Sequence, residues 1–126
     1  VRSKGAEPIL FMSWPYKNKP EMQNQLEEEF LKVSKINKLR MIPAGQAFLH
    51  VNQNYPSINL YTNDLRHPSK EGTYLAALMV FTTLNNKSPE GNAYMIDLEP
   101  EIAETLQRVA WITYEKFQKK IADYGL

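Results

Sequence analysis

Between Gly72 and Leu84 the chain carries no charged residue. A helix there has no face suited to water, so it must pack against a sheet or between other elements. Its start is well marked. Ser69 suits the N-cap, Pro68 precedes it, and Glu71 lies near the positive end of the helix dipole. The run Asn85-Asn86-Lys87-Ser88-Pro89 ends it. A segment of this kind requires other layers to cover it, and the rest of the chain must supply them.

Pro8-Ile9-Leu10-Phe11-Met12-Ser13 is a nearly continuous apolar run that reads as a strand buried on both faces, stopped at Trp14-Pro15. Pro20 is placed for the first turn of a helix. Along that helix Met22, Leu26, Phe30, Val33 and Ile36 or Asn37 recur at near-helical spacing, leaving Glu27, Glu28, Glu29 and Lys32 for solvent. Leu39-Arg40-Met41-Ile42-Pro43 reads as a second strand, and strand, helix, strand in this order predicts a right-handed parallel crossover and an α/β fold. Residues 44–51 form a short helix and 52–57 a loop. Pro100 opens a final helix with Ile102, Leu106, Val109, Ala110, Thr113, Phe117 and Ile121 on one face, and Lys116, Lys119 and Lys120 near its negative end. No internal repeat divides the chain, so residues 1–126 are expected to form one domain.

The 126 residues are 43% apolar, enough for a moderate core. Fifteen basic and fourteen acidic residues give a formal charge of +1 without a basic stripe, so nucleic-acid binding has no electrostatic footprint. There is no cysteine, which removes disulfides, thiolate metal sites and a cysteine nucleophile but leaves the compartment undecided. The two histidines, His50 and His67, are too isolated for a histidine-rich metal site. No stretch reaches the roughly 18 apolar residues of a membrane span, so no membrane partner is expected. Val1-Arg2-Ser3-Lys4-Gly5 reads as the last turn of a helix closed by glycine, which predicts that further sequence precedes it.

Asn63-Asp64-Leu65-Arg66-His67-Pro68-Ser69 places an acid and an imidazole three residues apart, just ahead of the uncharged helix. A carboxylate that accepts from one ring nitrogen fixes the tautomer and leaves the other nitrogen free to take a proton. The same residues admit a structural reading, with Asp64 capping a turn and His67 half exposed before a proline. Their position at the mouth of a helix that follows parallel strands favours the functional one. His50, on the short helix near Phe48, reads as a core or surface histidine. Asn86-Lys87-Ser88 is a poor glycosylation acceptor because Pro89 follows it.

Asp64-Leu65-Arg66-His67-Pro68-Ser69 followed by Gly72-Thr73-Tyr74-Leu75-Ala76-Ala77 resembles the closing block of the SGNH or GDSL hydrolases, which are serine esterases and acylhydrolases. Met41-Ile42-Pro43-Ala44-Gly45-Gln46-Ala47-Phe48 and residues 8–14 are similar to earlier segments of that family, in the same order. The resemblance spans roughly residues 5–84. It implies a three-layer, flavodoxin-like α/β unit, a parallel sheet flanked by helices, forming the C-terminal part of such a hydrolase. It also implies that Asp64 orients His67 and that His67 is the base toward a serine. The substrate would be an ester, an acetylated carbohydrate being one candidate class, with no metal and no organic cofactor. Trp14 and Asn63 are candidates for lining the substrate pocket.

The family's Gly-Asp-Ser block and its glycine and asparagine oxyanion donors are missing. Ser3, Ser13, Ser34, Ser57, Ser69 and Ser88 all lack a glycine-bounded elbow, and Ser13, at a strand end, is the least implausible substitute. The chain alone is therefore expected to be inert, since a base without nucleophile or preorganised donors gives almost no turnover. The rival expectation is a non-catalytic α/β interaction module that pairs with another chain, or with its own copy, through an exposed sheet edge.

Overall fold

A computed structural model describes residues 1–125. Arg2–Lys4 forms a single 3₁₀ turn closed by Gly5 at φ 78°, a left-handed position that suits glycine. The Arg2 guanidinium donates to the carbonyls of Asn37 and Lys38 and so meets the negative end of the next helix. The elements that follow are β1 (Ile9–Phe11), α1 (Met22–Asn37), β2 (Arg40–Ile42), α2 (Ala44–Asn54), α3 (Lys70–Asn85) and α4 (Pro100–Asp123).

The parallel crossover forms as its sequence predicts, with Ile9 opposite Arg40, Leu10 opposite Met41 and Phe11 opposite Ile42. The expected three-layer α/β architecture does not. The chain is 56% helical, and its sheet consists of two short parallel strands. Each apolar run yields only three residues of strand, because the chain leaves the ladder ahead of Pro15 and Pro43. The remaining apolar residues have helical spacing, so helices bury one another instead of flanking a broad sheet.

The uncharged α3 packs on α4, α2 and β2, but one face, with Thr73, Ala77, Phe81 and Leu84, is exposed. Tyr74, Leu75, Leu78 and Met79 enter the main core with Phe48, Val51, Leu60, Leu106, Val109 and Ala110. Ser69 caps α3 by accepting from the Gly72 N–H at 3.1 Å. A Cβ on Gly72 would lie 2.2 Å from the Leu60 carbonyl oxygen, so only glycine allows α3 to start this close to the preceding segment. Asn86, at φ 51°, caps the other end, and its amide oxygen accepts from the Tyr114 hydroxyl at 2.7 Å.

Helix α1 is rotated from its expected orientation. It buries Gln23, Glu27, Leu31 and Ser34, while Val33 and Ile36 are exposed. Polar partners hold this side of α1 inward. Glu27 meets Lys120 of α4 and accepts from the Gln46 amide of α2, and the Ser34 hydroxyl donates to the Leu39 carbonyl at 2.6 Å. Glu27 is thus paired within the structure instead of solvated with Glu28 and Glu29.

Candidate active site

Asp64 and His67 lie on a loop that closes on itself before α3. Tyr61 and Pro68 form an antiparallel bridge at its base, and the Thr62 N–H donates to the His67 carbonyl at 2.9 Å. Within it, Asp64 Oδ1 accepts from the Arg66 N–H and the His67 N–H, both at 2.9 Å, and from the Thr62 hydroxyl at 2.8 Å. An aspartate that accepts from backbone two and three residues ahead is the standard Asx turn, and this one bends the chain enough to put Leu65 at φ 62°.

The other carboxylate oxygen, Oδ2, is in hydrogen-bond contact with His67 Nδ1. That contact places the Nδ1 proton toward Asp64 in the neutral ring and presents Nε2 as the acceptor. The His67 ring, then the backbone N–H groups of His67 and Arg66 and the Thr62 hydroxyl, hold the Asp64 carboxyl well below the usual carboxylate range. It therefore stays ionised wherever an imidazole titrates. The His67 side chain is 79% exposed and that of Asp64 45% exposed, and among the described residues Nε2 has no hydrogen-bond partner.

Residues 14–17, just beyond β1, fasten this loop to the rest of the molecule. The Trp14 indole N–H donates to the Arg66 carbonyl at 2.9 Å, the Lys17 N–H donates to the Leu65 carbonyl at 2.9 Å, and the Tyr61 hydroxyl donates to the Pro15 carbonyl at 2.8 Å. Arg66 lies over the Tyr16 ring, 4.7 Å from its centroid. Trp14 itself is stacked on buried Phe48 at 4.4 Å and 7°. Thr62, Lys17 and the indole N–H are parts of this site that patterning alone did not identify, because each acts through backbone remote in sequence or through a residue type with no motif.

Asn63 is exposed at the loop beside Asp64. Trp14 is half-buried, with its N–H and one ring face occupied as described. Ser13 is exposed at the end of β1, and among the described residues no serine hydroxyl is hydrogen-bonded to His67. His50 belongs to a different place, a groove between α2 and α4 lined with Lys116 and Lys120, where it stacks against Tyr55. Burial and then the Lys116 charge lower its pKa from the ordinary imidazole value.

Among the described residues no helix is long and apolar enough to cross a membrane, and no group of three His, Cys, Asp or Glu side chains is arranged to hold a metal ion. The chain matches no protein-family model, and no curated protein or solved structure shows significant similarity to it.

Proposed function

We propose that this chain supplies the acid and base of a serine-type ester hydrolase, the serine coming from polypeptide outside these residues. The observation that carries the reading is the pairing of Asp64 Oδ2 with His67 Nδ1 while Nε2 stays open to solvent. In such an enzyme Nε2 takes the proton as the serine oxygen attacks the ester carbonyl. The imidazolium formed is stabilised by Asp64, whose depressed pKa keeps it anionic. His67 then returns the proton to the departing alcohol, and a second cycle with water releases the acid from the acyl-serine. An acetylated carbohydrate is a suitable substrate class because acetyl esters ask little of an acyl pocket.

The test is hydrolysis of a short acyl ester by protein that contains both this chain and its serine-bearing partner sequence. His67→Ala should lower kcat by about 10⁶-fold. Undiminished turnover in that variant would remove His67 from the mechanism.

A second reading, an interaction module that pairs with a copy of itself, is favoured by β1. This strand has a partner on one side only, and Phe11 at its end is 38% exposed. Two such edges can meet across a two-fold axis.

A further inference from the structure

We propose that Trp14 is the positioning residue for His67, an inference that rests on reading His67 as the base. A side chain as exposed as His67 is not held by packing, so its direction is set by its backbone together with the one contact its ring makes, to Asp64 Oδ2. The peptide unit joining Arg66 to His67 is gripped at both ends. Its N–H donates to Asp64 Oδ1 at 2.9 Å, and its carbonyl accepts from the Trp14 indole at 2.9 Å.

These two bonds differ in what they fix. The first lies inside the loop, and with the Thr62 and Arg66 bonds it sets the loop's shape. The second crosses to the segment after β1, so it sets where that shape sits and how the peptide plane is turned. Trp14 is well placed for this because its own ring cannot drift. One face is stacked on fully buried Phe48, and its edge meets Phe11 at 6.2 Å and 85°. Rigidity thus passes from the core through Phe48 to the indole, from the indole to one peptide plane, and from that plane to the imidazole. A pocket-lining tryptophan needs none of these bonds. Trp14 therefore acts on the rate of the chemical step through His67 and not through the substrate.

The experiment follows the His67 ring by nitrogen chemical shifts in the chain itself, which contains only two histidines to assign. In the unaltered chain the neutral ring should be mainly the Nδ1–H tautomer. Trp14→Phe keeps an aromatic ring over Phe48 but lacks the N–H, and benzothienylalanine placed at position 14 keeps the full ring area without it. Without the indole bond the peptide plane can turn and loosen the Nδ1 contact with Asp64, so both should shift the ring nitrogens toward the Nε2–H tautomer that a free neutral histidine favours, while circular dichroism stays unchanged. In the assembled hydrolase both should lower kcat about tenfold or more with KM within about twofold, as expected for misplacing a reacting group. Unchanged ring shifts in the benzothienylalanine variant, or a raised KM with kcat intact, would overturn the inference. The ring measurement needs no turnover, so it can succeed even if His67→Ala shows that the hydrolase reading is wrong.

Discussion

Asp64 does two jobs with two oxygens, one shaping the loop and the other holding the ring of His67. Its ionisation is therefore tied to folding. The unfolded carboxyl takes a proton near pH 3.9, about the ordinary aspartate value, whereas the folded one takes it only at much lower pH. Below the ordinary value the unfolded chain binds a proton that the folded chain refuses, so this stabilisation is fully present above it and is lost as pH falls toward the folded value. Asp64→Asn should make the thermal midpoint fall less steeply between about pH 4 and pH 2 than in the unaltered chain. Parallel curves for the two proteins would show that the Asp64 contacts do not survive in solution.

At the level of elements, the segment that follows β1 meets the start of α2 at a glycine. The Gly45 N–H donates to the Met12 carbonyl at 3.0 Å, and a Cβ at Gly45 would lie 2.2 Å from the Ser13 carbonyl oxygen and 2.5 Å from the Gln23 amide oxygen. The nearest obstacle is backbone, so it cannot swing aside. Gly45→Ala should cost about 3 kcal/mol by overpacking, read from urea unfolding, and a loss below about 0.5 kcal/mol, the range of ordinary surface changes, would mean that β1 and α2 are further apart than described. Helix α1 shows the limit of periodicity. Its apolar spacing correctly marks a helix, but the side that it buries is held by Lys120 and Gln46 on other helices and by the Leu39 carbonyl in the connection to β2.

For the molecule as a whole, a two-stranded parallel sheet leaves one edge of β1 without a strand partner among the described residues, and Phe11 at the end of that strand is exposed. Such surface predicts self-association that grows with concentration, and Phe11→Lys, a charge on the edge, should shift sizing profiles toward monomer. A monomer at all concentrations would count against the pairing reading. Much of this chain was legible beforehand because the signals were local. The uncharged helix, its Ser69 cap and the parallel crossover all follow from spacing within a few residues, whereas that spacing only permitted the contact of Asp64 with His67. The sheet's extent was not, since three-residue strands and longer ones begin with the same apolar run. What sequence alone determined was the order of the main elements and that an Asp and a His lie three residues apart ahead of α3. Tertiary structure alone decided that helices, not a broad sheet, enclose the core, and that Trp14 grips the peptide beside His67. Both outcomes depend on contacts between residues far apart in the chain, which no local pattern encodes.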